Sequence, residues 1–295
     1  MAISQELLAE LEAVDRWALG ALPLPPLTTN DDYMTLAMEL MNHTQRLLRV
    51  GVFLSEEGSF VRKGFTRRRA IVLGHFVRIQ KLYDALRHHT ANRQRDICSI
   101  FHRLIVETAS KLEYLTLAKQ SSFRGFILAS YKPEKEMLDD LRGKAKKRPL
   151  TAIEKRMLGS VRANLREDRI STTELLGNRR WDIDGKNFRQ ILAELGRDSR
   201  YAYGFGVGSH FIHGDWFDLK WHHLKKVNGR YRAWLEGPVP DARGVCPVTN
   251  ICLVSLANFV RWNRLDTDRS VVTVIQNVLN VAGGLDESHE LSLQR

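Results

Sequence analysis

Ser209 and His213 stand four residues apart in the stretch Y-A-Y-G-F-G-V-G-S-H-F-I-H-G-D-W, and Gly214 follows directly. Residues at i and i+4 share one face of a helix, so a hydroxyl and an imidazole would project together near a helix end. An imidazole exchanges protons near neutral pH, and a serine one turn earlier can hold one of its ring nitrogens. A histidine at that place also caps the last helical carbonyls, so both roles stay open. His210 lies three residues before His213, a spacing that suits a metal pair. No third ligand accompanies them at a recognisable spacing, and neither a metal nor a cofactor is expected.

A second polar pair lies far upstream. Arg103 and Glu107 are also four apart, in a segment whose Leu104, Ile105, Val106, Leu112 and Leu115 are otherwise core material, with Glu113-Tyr114 following. A cation and a carboxylate in such a helix are costly unless paired. Either they form an intrahelical surface pair worth about 0.3 kcal/mol, or they face a polar pocket that Ser209 and His213 also line.

The elements that must position these groups follow from hydrophobic period and punctuation. Leu7, Leu8, Leu11, Val14 and Trp17 mark a helix over 4–19 behind Ser4, ended by P-L-P-P-L-T-T. A second helix runs from Asp31 towards Leu54, and two long ones follow over 65–90 and 93–120, then a short apolar one over 123–129. Charge dominates from Lys132 to Arg180, where Thr151 and Glu154 form a capping box. A helix over 187–195 stops at Gly196, and the Ser209–His213 helix is next. Asn228-Gly229 between two aromatic-rich runs, 219–227 and 230–235, is a hairpin signal, and Trp221, Tyr231 and Trp234 should pack one face of that hairpin onto helices. Pro238, Pro240 and Pro247 make a return loop, helices over 248–265 and 269–282 follow, and a polar tail without structure ends the chain. The expected fold is mainly α: a multi-helix bundle with a charged helical insertion and one small β-hairpin. Residues 1–131 and 181–295 would form one core, with 132–180 as the insertion.

Charge is unevenly placed on a chain whose formal net charge is +11. Residues 1–59 carry a balance of −6, residues 60–103 of +9 and residues 142–169 of +7. Concentrated positive charge attracts polyanions, nucleic acid first among them. Arg62, Lys63, Arg67, Arg68 and Arg69 form one candidate contact, and Lys144, Lys146, Lys147 and Arg148 the other. The bland alternative is a solvated helical face. The apolar runs are broken by charge before membrane-spanning length, and the opening M-A-I-S-Q-E-L-L lacks a signal peptide's basic region. Cys98, Cys246 and Cys252 make neither a zinc pattern nor a disulfide framework, which suits reduced buried thiols. A cytoplasmic protein with no membrane partner is expected.

Arg103-x-x-x-Glu107 with Tyr114, then Trp181, then Phe205-x-x-x-Ser209-x-x-x-His213-Gly214, resembles a bacterial helical family of unknown function with R-x-x-x-E and Y-x-x-x-S-x-x-x-H motifs. Phe205 stands where that family has tyrosine. More distantly, Ser209 and His213-Gly214 are similar to the end of the HEPN motif, an Arg, then a polar residue, then a His four to six residues on and often a Gly, in domains that include toxin and phage-defence ribonucleases. Gly208 takes the arginine's place. Arg95-Asp96 with His102 is another formal match, in a pattern loose enough to recur by chance in so arginine-rich a chain.

The resemblances imply two functions. One is a nucleic-acid-associated helical protein, a binding or regulatory component in a defence or toxin-like context. Its partners would be nucleic acid, RNA before DNA, and a second copy of the chain or a partner protein. In this reading Arg103, Glu107, Ser209 and His213 form a buried polar network. The alternative is a metal-independent endoribonuclease. His213 would move a proton at the ribose 2′-hydroxyl, Ser209 would orient it, Arg103 would stabilise charge on the phosphate, and Glu107 would position Arg103.

Overall fold

The computed structural model describes residues 4–57, 64–178, 181–265 and 270–294, and they form a mostly helical bundle with one two-stranded antiparallel sheet. Contacts divide the chain into two compact units, Met1–Leu117 with Leu192–Arg295, and Ala118–Ile191.

The first unit begins with α1 (Gln5–Gly20), whose Leu7, Leu11, Val14 and Ala18 form a buried stripe and whose N-cap Ser4 accepts from the Leu7 amide. Then come α2 (Asn30–Glu57), α3 (Arg67–Ala91) and α4 (Arg95–Leu117). On α3 the buried set Val72, Phe76, Ile79, Tyr83, Leu86 and Thr90 recurs every three or four residues, the spacing of a helix burying one face. The last long helices are α12 (Ala242–Asn263) and α13 (Ser270–Ser292). Phe76 stacks on Phe259 at 4.2 Å, and the buried Tyr83 hydroxyl meets Thr249 Oγ1 at 2.8 Å. A Cβ on Gly51 of α2 would meet the end of the Leu256 side chain and come within 3.0 Å of the Phe76 ring, so α2 packs closely against α12 and α3 at this glycine. Cys98, Cys246 and Cys252 are free and buried, and burial pushes the Cys246 thiol up to about 12. By length and composition α12 could cross a membrane, yet 61% of that stretch is buried inside the protein.

Helix α4 changes character along its length. Residues 99–104 are all half-buried, whereas most positions from Ile105 to Leu115 are buried. Its second half belongs to the core and its first half borders open space.

The second unit holds α5 (Gln120–Ser130), α6 (Lys132–Ala145), α7 (Ala152–Glu167) and α8 (Thr172–Gly177). It has a small core of its own, with Leu138, Leu141, Val161, Leu165 and Leu175 buried. The capping box at Thr151 and Glu154 forms. The Tyr131 hydroxyl donates to Asp168 at 2.6 Å, and Arg124 grips both oxygens of Glu174 at 2.6 and 2.7 Å. This unit takes in α5 as well as the stretch over 132–180 whose composition is charged. The short α9 (Phe188–Glu194) leads out of it.

Four local expectations are corrected. The run before Asn228-Gly229 is strand only as β1 (Leu224–Val227), paired with β2 (Arg230–Ala233); Leu219–His223 is a wide π-helical turn. Asn228 and Gly229 do take the positive φ of 49° and 78° that the tight turn requires. The hairpin does not pack through Trp221 and Tyr231, which stay 55% and 43% exposed. Pro247 lies inside α12, because Asp241 caps that helix through the Gly244 amide and starts it six residues earlier. The chain does not trail off after residue 282: α13 continues to Ser292 because the Tyr33 hydroxyl donates to the Ser288 carbonyl at 3.1 Å and the Tyr33 ring meets His289 edge-on.

Candidate functional site

The stretch that carries Ser209 and His213 opens as a π-helix, Arg200–Gly206, and tightens into α10 (Val207–His213). Wide turns of this kind recur at functional sites. Gly214, at φ 58°, ends α10 in the left-handed conformation and donates to the His210 carbonyl. Glu113 anchors the start of this stretch: it is only 9% exposed and takes Arg197 at 3.1 Å and Arg200 at 2.9 Å. The arginines are more than eighty residues away in sequence, so no local pattern marks them.

Of the four catalytic candidates, contacts join two. Arg103 Nη1 donates to Ser209 Oγ at 2.9 Å, and the guanidinium lies 4.2 Å over the Phe205 ring. The Ser209 hydroxyl donates to the Phe205 carbonyl at 2.9 Å, so its proton is directed away from His213. Glu107 pairs with Lys111 at 2.6 Å and makes no ion pair with Arg103. His213 is exposed at the end of α10, with no hydrogen bond or ion pair among the described residues. His210 pairs instead with Asp215, at 2.5 Å. No group of three His, Cys, Asp or Glu side chains that could hold a metal is found among the described residues.

A cavity of about 400 Å³ opens beside this contact, on the half-buried face of α4. Arg95, Ser99 and His102 line it from α4, Phe211 from α10, and Asp241 and Arg243 from the start of α12. His102 and Ser99 also line an adjoining space of about 410 Å³ that reaches Arg200 and Gly208. Arg95 and Arg243 share one carboxylate, Asp241, at 3.1 and 2.9 Å. Burial works to raise the Asp241 pKa, but Arg243 and Arg95 hold it below the ordinary value. His102 makes no hydrogen bond among the described residues, and desolvation, aided by Arg95, lowers its pKa to about 4. It is a neutral imidazole at neutral pH. His222 stacks on Phe211 at 4.9 Å and bonds to the buried Asp218 at 3.2 Å. Arg95 and His102, seven residues and two helical turns apart on α4, thus both line this cavity.

Next to the cavity mouth the surface is aromatic and cationic. It comprises the short α11 (Trp216–Asp218), the π turn Leu219–His223 and the hairpin. Trp216 and Trp221 are each 55% exposed. Lys220 Nζ lies 5.8 Å from the Phe217 ring and 5.7 Å from that of Trp221, Lys226 lies 6.0 Å from Tyr231, and Trp216 meets Tyr231 edge-on at 5.2 Å. Lys220, Lys225, Lys226, Arg230 and Arg232 are exposed, and none forms an ion pair among the described residues. No acidic residue interrupts 219–233. The chain's composition contained this signal, but the aromatic residues read as packing groups for the hairpin.

The two basic clusters fare differently. Arg62 and Lys63 lie outside the described residues. Arg67, Arg68 and Arg69 open α3, with Arg67 exposed and the Arg68 guanidinium 5.6 Å from the Trp262 ring. In the second unit Arg148 is bidentate with Glu154 at 2.7 Å and Lys144 pairs with Asp140 at 2.6 Å, while Lys146 and Lys147 are exposed. Local carboxylates therefore neutralise part of that cluster.

Residues 69–231 match a family of unknown function, DUF5677, over more than half of the chain, from the start of α3 to β2. No curated protein and no solved structure matches.

Proposed function

The chain belongs to DUF5677, and from its surface chemistry we propose that it binds single-stranded nucleic acid, RNA in preference to DNA, along the strip from Trp216 to Arg232. One observation carries the reading: exposed rings alternate there with cations that form no ion pair among the described residues, Lys220 and Lys226 being set against Phe217, Trp221 and Tyr231. Bases stack on exposed aromatic faces whatever their identity, while cations follow the phosphates. RNA is read mainly through such unstacked single strands. The fit is chemical on both counts, whereas a face that only kept the protein soluble would not expose two tryptophans.

The geometry favours binding over cleavage through His213 and Arg103. Ser209 gives its proton to Phe205 and its lone pair to Arg103, and His213 faces solvent. Arg103 then fixes α10 to α4 and so holds the base of the strip.

Fluorescence anisotropy with a short labelled single-stranded RNA tests the proposal. Trp216→Ala and Trp221→Ala should each weaken binding by roughly 1–3 kcal/mol, the usual worth of a base on an aromatic platform. Equal affinity of wild type and the double variant, both folded by circular dichroism, would reject the strip.

A further inference from the structure

The cavity beside the strip has features that packing does not require. Two guanidinium groups share a single ion-paired carboxylate at its rim, and the charge of Glu290 also acts on Arg243. Each guanidinium has five N–H donors, and Arg95 spends Nη1 on Asp241 and the Val239 carbonyl, Arg243 its Nη2 on Asp241. His102 looks into the space with no hydrogen bond of its own among the described residues. A neutral imidazole offers one donor and one acceptor. Four rings, Phe211, Phe217, Trp221 and His222, are among its lining side chains, and Phe211 and His222 stack on each other.

Phe217 and Trp221 belong to both surfaces: they line the cavity and they flank Lys220 on the strip. A strand lying on the strip therefore passes the cavity mouth. A volume of about 400 Å³ falls in the range of pockets that take small organic ligands, about 300–1,000 Å³. It has no room for a duplex.

We propose that this cavity receives one unstacked nucleotide, its base between the aromatic walls and against His102, its phosphate at Arg95 and Arg243. This rests on the strip reading for the source of the nucleotide, a bound strand. The alternative source is a free mononucleotide, which the same chemistry would recognise.

Two measurements on the full chain decide it. The first is calorimetric titration with nucleoside 5′-monophosphates, which need the cavity alone. The wild type should bind at least one of them. Arg243→Glu, which reverses the charge at the phosphate end, should weaken binding about tenfold or more, the scale of a charge-assisted hydrogen bond lost. Ser99→Leu, which fills the space from α4, should do the same and guards against an unfolded first variant; melting curves report the fold of each. The second is a single-stranded RNA carrying 2-aminopurine, whose emission rises when the base leaves its stack. Emission should rise on the wild type and stay flat on Arg243→Glu. A wild type that binds strands but binds no mononucleotide and leaves 2-aminopurine dark overturns the cavity and spares the strip. Mononucleotide binding that both variants keep at full strength also overturns it. Mononucleotide binding lost in both variants, with no strand binding at all, overturns the strand as the source and supports a free nucleotide as the ligand.

Discussion

A Cβ built on Gly208 would stand 2.8 Å from the Cβ of Arg103, so α10 and α4 touch through a glycine on one side and a side-chain stem on the other. The atom in the way is the first carbon of the side chain, not its flexible end, and it cannot swing aside. Gly208→Ala should therefore cost about 1–3 kcal/mol, as overpacking does, measured by urea denaturation. Gly159 in α7 is the control, with nothing within 4 Å; Gly159→Ala should stabilise by about 0.5–1 kcal/mol, the helical preference of alanine over glycine. A neutral result at Gly208 would mean that the two helices separate more easily than this contact implies.

Glu113 and its two arginines predict an asymmetry. Glu113→Ala leaves two guanidinium groups facing each other around a buried site and should cost about 3–5 kcal/mol. The Arg197 side chain is 41% exposed, so Arg197→Ala should cost under about 1 kcal/mol. Arg200, at 16% exposed, should fall between. Equal losses at Arg197 and Glu113 in thermal or chemical unfolding would contradict the assignment of the carboxylate as the buried partner.

The parts of this fold that were legible in the sequence are those fixed within one or two turns. The Leu7, Leu11 and Val14 stripe of α1, the cap at Ser4, the box at Thr151 and Glu154 and the turn at Asn228-Gly229 depend on residues no more than four apart, and each formed. What misled was local evidence answered from far away. The polar end of α13 is helical because Tyr33, on another helix, holds it. Pro247 signals a break, but Asp241 had already capped the helix six residues before. For the site, the i,i+4 spacing located Ser209 and Glu107 but could not say which partners they would take. Ser209 donates to the Phe205 carbonyl and Glu107 accepts from Lys111, each four residues away in sequence. The cavity escaped notice because Asp241 and Arg243 reach Arg95 and His102 of α4 only through tertiary packing.

His102 gives the molecule a measurable acid sensitivity. Its pKa is lowered from the ordinary 6.5 to about 4, by burial first and by Arg95 second, with Asp241 opposing. The unfolded chain thus takes up a proton near 6.5 that the folded chain refuses until about 4. Stability from this group is complete above 6.5 and is lost as pH falls from 6.5 towards 4, by up to about 3 kcal/mol for the full shift. His75 and His222, also lowered mainly by burial, add loss of the same sign. His102→Asn should flatten the fall in unfolding free energy between pH 7 and 4. A slope identical to wild type would show that the ring is hydrated and titrates normally.

The second unit should be removable. Glu113 lies one turn before the end of the first segment of unit one, and its partners Arg197 and Arg200 lie just after the second segment begins. The two cut ends are therefore tied close together, and a short Gly/Ser linker in place of Ala118–Ile191 should close the chain. Sharp thermal unfolding with helical circular dichroism is expected. A product that binds the dye ANS and melts without cooperativity would show that the first unit needs the second.

Salt dependence separates the basic clusters. Each phosphate contact on a single strand contributes about 0.7 to the slope of log K against log salt. Lys226 is exposed, pairs with no carboxylate among the described residues and lies against Tyr231, so Lys226→Ala should lower the slope by about 0.7. Arg148 is already bidentate with Glu154; a phosphate must displace that carboxylate to be bound, and Arg148→Ala should change the slope by less than Lys226→Ala does. The same comparison tests the strip as the site of contact: a larger change at Arg148 than at Lys226 would move the nucleic acid to the second unit and away from Trp216 and Tyr231.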